Sequence, residues 1–149
     1  MKAVIQRVLS ASVSIGGKDI SVIKHGFLIL LGVEKDDGPA DLNYMVKKTV
    51  GLRIFKDSNN NMNLSLQDVY GEALVVSQFT LCADTRKGHR PSFINAAPSE
   101  IAERLYIQYC EKLRKENISV KTGRFGAMME VNLKNDGPVT IILNGRKST

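Results

Sequence analysis

The stretch Phe27-Leu28-Ile29-Leu30-Leu31-Gly32-Val33 is a continuous apolar run. It follows His25-Gly26 and is short, as is typical of a strand buried on both faces of a sheet. We therefore expect it to be the central strand of the fold. A membrane-spanning helix takes roughly 20 apolar residues, so the run is far too short to be one.

The residues before this run predict two further strands. Residues 1–15 carry apolar and β-branched side chains in partial alternation, which favours a strand. Gly16-Gly17 is a turn, and Ile20-Ser21-Val22-Ile23 returns as the second strand.

Two amphipathic helices are predicted after the run. Residues 39–51 form the first: Pro39 suits its first position, and its apolar face is Leu42, Met45, Val46 and Thr49. The second begins near Pro98, and its apolar face is Ala102, Leu105, Tyr106, Tyr109 and Leu113.

Short strands account for most of the rest, at Arg53–Phe55, Ala73–Leu81, Val120–Thr122, Met128–Leu133 and Val139–Leu143. Asn135-Asp136-Gly137-Pro138 is predicted as a turn between the last two, and residues 82–95 as a basic loop. The total is about eight strands and two helices in one domain, residues 1–149. Short turns join most strands, so we expect mostly antiparallel sheets and a mixed α/β fold.

The composition is that of an ordinary globular protein. Of 149 residues, 43% are apolar and 24% are charged, which supports a core without structural disulfides or metals. Cys82 and Cys110 form no CxxC pair, and Met1–Val8 lacks the apolar region of a signal peptide. We therefore expect a cytoplasmic protein with reduced thiols. The net charge of +6 suits a polyanionic partner such as RNA.

Few conventional catalytic groups are present. Histidine occurs only at His25 and His89, and there is no G-x-S-x-G, H-E-x-x-H, Walker or dinucleotide-binding motif. No cluster has metal-ligand spacing, so we expect neither a metal nor an organic cofactor. Ser77 and Thr80 are poor nucleophiles without an adjacent base. His89, the histidine nearest to them in sequence, lies in the basic loop, a setting better suited to phosphate contact.

Several segments, in order and in register, closely resemble the D-aminoacyl-tRNA deacylase family. They are Met62-Asn63-Leu64-Ser65-Leu66, Ser77-Gln78-Phe79-Thr80-Leu81, Arg90-Pro91-Ser92-Phe93, Gly123-Arg124-Phe125-Gly126-Ala127-Met128-Met129 and Asn135-Asp136-Gly137-Pro138-Val139-Thr140. Each match alone is weak, but several in register make a strong signal, and the overall likeness runs from Met1 to about Leu143, nearly the whole chain.

The resemblance implies a D-aminoacyl-tRNA deacylase-like fold and a two-fold homodimer with active sites at the subunit interface. It implies that Ser77–Leu81 lines the pocket. It also implies that Gly137-Pro138 has a cis peptide bond and enters the partner subunit's pocket, and that Arg7 helps to hold this dipeptide. The implied reaction is hydrolysis of the ester between a D-amino acid, or glycine, and the 3′ terminal adenosine of tRNA. This is chiral proofreading in translation, with L-aminoacyl-tRNA rejected and no membrane involved.

The chemistry of Ser77–Leu81 allows two interpretations. By pattern it is a buried strand whose hydroxyls bond to the backbone. In a pocket, the N–H groups of Phe79 and Thr80 could hold the ester oxygen as charge develops on it, while Ser77 and Gln78 orient the ribose or the carbonyl. Thr80 could be the nucleophile, but it lacks a base. The 2′-hydroxyl of the terminal adenosine is the better candidate for activating water.

Gly137-Pro138 also allows two interpretations, an ordinary turn or a wall that tests chirality. Two enantiomers differ by exchange of hydrogen and side chain on Cα. A pocket that fixes the ammonium and the ester can therefore probe the remaining position, where hydrogen passes and a side chain does not. Backbone atoms make a stiff probe, and their carbonyls can accept hydrogen bonds from the ammonium. Glycine passes the same test.

Alternatives remain open at this stage. Arg7, Lys87 and Arg90 are either solvated charges or functional groups, and Phe125 and Met129 are either core residues or the edge of the pocket. The chain could instead be a non-catalytic RNA-binding module, although aromatic residues are only 6% and no RNP-type string occurs. It could also be a small-molecule esterase that ignores RNA.

Overall fold

The computed structural model describes residues 1–145. In chain order these residues form β1 (Lys2–Ile15), β2 (Lys18–Ile23), β3 (Gly26–Gly32), α1 (Pro39–Gly51), β4 (Arg53–Lys56), β5 (Met62–Ser65), β6 (Glu72–Ser77), a 3-10 helix (Phe79–Cys82), α2 (Ser99–Lys115), β7 (Ser119–Thr122) and β8 (Glu130–Asn144). The predicted mixed α/β class is confirmed, and the two predicted helices lie where the apolar spacing placed them. No described helix is long and apolar enough to cross a membrane.

The apolar run at residues 27–33 forms the central strand β3, as predicted. The main sheet has the order β2-β1-β3-β6-β7, and β8 pairs with β1. β1 pairs antiparallel with β2, β3 and β8, and β4 pairs antiparallel with β5. The β3–β6 and β6–β7 pairs are parallel, because the connections between them contain α1 and α2 and cross over the sheet.

The long strand β1 makes the sheet curl. On one edge it pairs with β3 through residues 2–8 and with β2 through residues 11–15, while β8 follows its other edge almost throughout. The sheet therefore buries both faces. One face packs against the helices in a cluster that includes Phe27, Met45 and Tyr109. The other encloses a smaller cluster that includes Leu28, Leu74 and Val76.

Specific polar contacts fix the helices on the sheet. The hydroxyls of Thr49 in α1 and Tyr109 in α2 lie 2.7 Å apart in the core. Tyr106 Oη donates to the carbonyl oxygen of Val75 at 2.8 Å, which ties α2 to β6. Because Val75 lies two residues before the end of β6, this bond holds α2 beside the segment that follows the strand.

The prediction of one strand over Ala73–Leu81 is wrong beyond Ser77. β6 pairs with β3 as far as the pair Leu31–Ser77. Gln78 N still donates to Leu31 O at 2.8 Å, but Leu81 N turns back to Gln78 O at 3.2 Å. A Cβ added at Gly32 would lie 3.0 Å from Gln78 O and from Leu81 Cβ. The turn therefore packs onto the glycine that ends β3, where a side chain would be crowded.

The prediction of a turn at residues 135–138 between two strands is also wrong. Both predicted strands are halves of β8, and both pair with β1. Asn135 opposes Val8 and Thr140 opposes Gln6, so β8 has extra residues between these pairs and they form a bulge. The bulge contains Gly137-Pro138, whose peptide bond is cis as predicted. The short strand β5 was not predicted.

Candidate active site

A cavity of about 520 Å³ opens where β6 ends. Its walls come from four parts of the chain: Val33 after β3; residues 76–79 at the end of β6 and in the turn that follows; the approach to and start of α2; and residues 125–129 with Val131 at the start of β8. This volume is in the range of sites for small molecules, and a mostly apolar lining with a few polar groups is typical of them.

The turn after β6 presents two backbone amides. Phe79 and Thr80 are the first residues of the 3-10 helix, so their N–H groups have no acceptor within it. Within residues 1–145 neither amide finds another backbone acceptor. Neighbouring N–H groups on one turn can bind an oxygen atom that gains negative charge.

The side chains of the turn make one contact with each other. Gln78 Nε2 donates to Thr80 Oγ1 at 2.5 Å, and both side chains are at least partly exposed. In the described part of the chain, Thr80 Oγ1 has no hydrogen bond to a histidine, carboxylate or amine that could act as its base. The Ser77 hydroxyl is half-buried at the cavity wall and free to meet a ligand.

If the turn holds the ester that the resemblance implies, replacing Thr80 by alanine should leave measurable hydrolysis of that ester. An essential nucleophilic hydroxyl costs several powers of ten in rate when removed, whereas Thr80→Ala keeps the backbone N–H and removes only a positioning contact. We expect a loss of about tenfold in kcat, on the scale of one net hydrogen bond. Single-turnover assays of the purified variant test this. Complete inactivity with fold and assembly intact would return Thr80 to the role of nucleophile.

The wall formed by residues 123–129 is tied to the sheet and to α2. Gly123 N donates to Val75 O at 3.3 Å, and Arg124 N lies 3.4 Å from Met129 Sδ. The ring of Phe125 is 5.9 Å from that of Tyr106. Phe125 and Met129 are half-buried, pack against the two core clusters and also line the cavity.

Arg7 braces the bulge in β8. It is only 3% exposed, and its Nη1 donates to Ile54 O at 2.6 Å. Its Nε lies 3.1 Å from Asp136 Oδ2 and 3.3 Å from Asp136 O. From the other side, Asn135 Nδ2 lies 2.9 Å from both Arg7 O and Val139 O. Gly137 and Pro138, by contrast, are exposed.

The predicted site residues therefore fall into two groups. Ser77, Gln78 and Phe79 line the cavity, and Thr80 follows in the same turn. Gly137 and Pro138 belong to the bulge and Arg7 braces it from β1; none of the three lines the cavity of its own chain. The small residues Ala96, Ala97 and Ser99 in the wall were not predicted, and neither was the bracing role of Asn135 and Asp136. The polar side chains of Asn135 and Asp136, just before Gly137-Pro138, were a sequence signal for this bracing role, but they were interpreted as turn chemistry.

Other reactive groups lie away from the site or are inert. Cys82 is 2% exposed, and burial raises the pKa of its thiol, which disfavours the nucleophilic thiolate. His25 Nε2 contacts Val69 O at 3.0 Å, and His89 is exposed in the basic loop. Neither histidine lines the cavity. Residues 1–145 contain no group of three or more His, Cys, Asp or Glu side chains placed to hold a metal ion.

Solved structures share this fold. A structure described as a probable eukaryotic D-amino acid tRNA deacylase matches with a TM-score of 0.82 at 17% identity, over 95% of this chain and 97% of that one. A structure described as c-Myc DNA unwinding element binding protein matches with a TM-score of 0.91 at 45% identity, over 97% and 98%. The chain thus has the same fold as both structures.

Sequence comparison identifies the family. The sequence model described as D-Tyr-tRNA(Tyr) deacylase matches residues 4–144. D-aminoacyl-tRNA deacylase from Thermosipho melanesiensis is 55% identical and that from Clostridioides difficile 52% identical, each over 99% of both chains. The chain belongs to the D-Tyr-tRNA(Tyr) deacylase family, a family of hydrolases.

Proposed function

We propose that the protein hydrolyses the ester that joins a D-amino acid, or glycine, to the 3′ terminal adenosine of tRNA. The products are tRNA and the free amino acid, and L-aminoacyl-tRNA is rejected. One observation carries the proposal: in a chain of this family, the turn after β6 lines a cavity and presents the free amides of Phe79 and Thr80 without a side-chain base.

The two amides suit the developing oxyanion. Attack on the ester carbonyl places negative charge on its oxygen, and preorganised N–H donors stabilise that charge without reorganisation. Gln78 N is bonded to Leu31 O, which anchors the turn to the central strand. Ser77 and Gln78 are placed to orient the ribose or the scissile carbonyl.

The attacking water must lose a proton, and the substrate carries one group that can relay it: the 2′-hydroxyl can accept that proton while its own proton passes to the departing 3′ oxygen. The 2′-hydroxyl of the terminal adenosine is adjacent to the 3′ ester, and binding would hold it in a productive position. This role agrees with the surroundings of Thr80, whose described hydrogen-bond partner is an amide donor.

Chirality is tested, in our proposal, by a second copy of the chain. Gly137 and Pro138 are exposed on a braced bulge and lie outside their own chain's cavity, so they are free to enter the cavity of a partner. There the backbone would occupy the position that a side chain of an L-amino acid requires. Hydrogen clears that position, so D-amino acids and glycine are accepted.

The free edge of β8 supports the dimer. β8 pairs with β1 on one side, and no strand within residues 1–145 pairs with its other side. Leu133 and Ile142 on β8 are exposed, the latter at 68%, and Leu9 on β1 is 53% exposed. Edge strands with apolar side chains are normally covered, and a second copy would cover this one.

Light scattering should therefore give a particle of about twice the 16.4 kDa chain mass. Because each cavity is incomplete without the partner's bulge, dilution into monomers should abolish deacylation. Sedimentation and activity measured over the same concentration range check this. A monomer that remains fully active at nanomolar concentration would contradict it.

The experiment that decides the function compares matched D-tyrosyl and L-tyrosyl tRNA with the purified protein. Release of the D-amino acid alone supports the proposal. Equal hydrolysis of free D-amino acid esters would favour a small-molecule esterase, and tRNA binding without turnover would favour an RNA-binding module.

We further propose that residues 1–149 act as one domain, in the cytoplasm, without metal or cofactor. Prolonged chelation should leave the rate unchanged.

A further inference from the structure

Within the basic loop of residues 82–95, residues 84–92 form a narrow projection beside the cavity. Asp84 N donates to Ser92 O at 2.8 Å, and Ser92 N donates to Asp84 O at 3.0 Å. These two bonds close the base of the loop. Gly88 near its tip has φ +63°, and apart from its chain neighbours nothing within residues 1–145 lies within 4 Å of the Cβ position, so the tip projects into solvent.

Both ends of this projection join the cavity. The chain enters from the 3-10 helix that presents the Phe79 and Thr80 amides. It leaves through Phe93, whose ring centroid is 5.1 Å from that of Phe79, and continues to the cavity-lining residues Ala96 and Ala97. Residues 85–91 can extend roughly 12 Å from the closed base at about 3.3 Å per residue. The tip is therefore within a few nucleotides of a terminal adenosine bound in the cavity.

The charges of the loop are not balanced. Arg86 Nη2 lies 2.6 Å from Asp84 Oδ2, and its Nε lies 2.9 Å from Oδ1. Hydrogen bonds from Arg86 lower the pKa of Asp84 to about 2, so this pair stays neutral overall at assay pH. Lys87 and Arg90 are exposed, and no carboxylate in residues 1–145 lies within ion-pair distance of either.

We propose that Lys87 and Arg90 bind phosphates of the single-stranded RNA that leads into the terminal adenosine. This inference rests on the proposed function and deepens it. Two uncompensated cations on a projecting loop match the charge of an RNA backbone, and Arg90 can bind a phosphate through two parallel N–H donors. Residues 84–92 contain no phenylalanine, tyrosine or tryptophan, and His89 carries their one ring on which a base could stack. The contact that we propose for Lys87 and Arg90 is to phosphate and does not depend on the base sequence.

The test compares two substrates of the same amino acid. D-tyrosyl-tRNA carries the phosphates, and 3′-O-D-tyrosyl adenosine carries none. For Lys87→Ala/Arg90→Ala we expect KM on charged tRNA to rise roughly tenfold or more, with kcat little changed. Both kinetic constants on the adenosine ester should stay at the wild-type value. Lys87→Arg/Arg90→Lys keeps both charges and should keep most of the affinity for tRNA.

A matched control removes two cations elsewhere. Lys47 and Lys115 are exposed and line a separate groove between α1 and α2, so Lys47→Ala/Lys115→Ala makes the same change in net charge. We expect this control to behave like the wild type. It separates a local contact from a general loss of positive charge.

Binding of uncharged tRNA gives a readout that does not depend on hydrolysis. The logarithm of the association constant for tRNA falls as the logarithm of the salt concentration rises. In the Lys87→Ala/Arg90→Ala variant this slope should be shallower by about 1.4, at roughly 0.7 per single-strand phosphate contact. An unchanged slope, a control variant with the same defect, or an equal loss on the adenosine ester would each overturn the inference. If the two substitutions make the salt slope shallower as expected but the wild type hydrolyses neither substrate, the proposed function fails and the phosphate contact stands.

Discussion

Hydrolysis of D-aminoacyl-tRNA should slow by about 10²–10⁴-fold when the 2′-hydroxyl of the terminal adenosine is replaced by hydrogen. That range is typical for the loss of one general acid or base. Ester hydrolysis needs an activated nucleophile and a stabilised oxyanion. The amides of Phe79 and Thr80 can meet the second need. The side chains do not meet the need for an activated nucleophile. Among the described residues that line the cavity, none is a histidine, and none bears a carboxylate or an amine that could act as a base.

The measurement is a single-turnover comparison of two tRNAs, ending in adenosine or 2′-deoxyadenosine, with the same D-amino acid on the 3′ oxygen. The loss should exceed that of Thr80→Ala by at least tenfold, since the first change removes the proposed activating group and the second removes a positioning contact. Binding of both tRNAs in uncharged form controls for altered affinity. Equal rates would show that the protein supplies its own base. His89 would be tested first, because it is the histidine nearest to Thr80 in sequence.

Elements whose pattern is local could be predicted from the sequence. The apolar run in β3 and the helical spacing in α1 depend only on neighbouring residues, and both elements were placed within about one residue of the observed bounds. The prediction of a turn at residues 135–138 is wrong because local chemistry is overridden there by a distant pairing. Asn, Asp, Gly and Pro favour a turn locally, but both flanking segments pair with β1 far away in sequence, and that pairing makes the turn a bulge.

The candidate site could be predicted only in part. The turn after β6 depends on close packing against Gly32, which periodicity does not reveal, so Phe79 was expected in a buried strand and is 55% exposed. Ala96 and Ala97 carry no reactive group that would mark them as cavity walls. Arg7 stood out as a charge within a strand pattern, whereas its contacts with Ile54 and Asp136 depend on tertiary structure.

The substitution Gly137→Ala should reduce kcat/KM for D-tyrosyl-tRNA by about 100-fold, the scale of a 1 Å misplacement in an active site. Gly137 has φ +122°, a conformation that L side chains rarely adopt. A Cβ there would lie 2.9 Å from Arg7 Nη2 and 2.9 Å from Val139 Cγ2. Arg7 is held by Ile54 O and Asp136, and Val139 is 8% exposed. The bulge must therefore move, and with it the wall that we propose for the partner's cavity.

Gly17→Ala is the matched control for Gly137→Ala. Gly17 also has a positive φ, +79°, but in the described part of the chain nothing beyond its two neighbours lies within 4 Å of its Cβ position. It lies in the turn between β1 and β2. The Gly17→Ala substitution adds backbone strain of about 1–3 kcal/mol without a clash, and this variant should keep its activity. Thermal unfolding and light scattering on both variants verify fold and assembly. If Gly137→Ala remains a folded dimer with wild-type activity on D-tyrosyl-tRNA, the bulge is not the chiral wall, and the selectivity must come from the 125–129 side of the cavity.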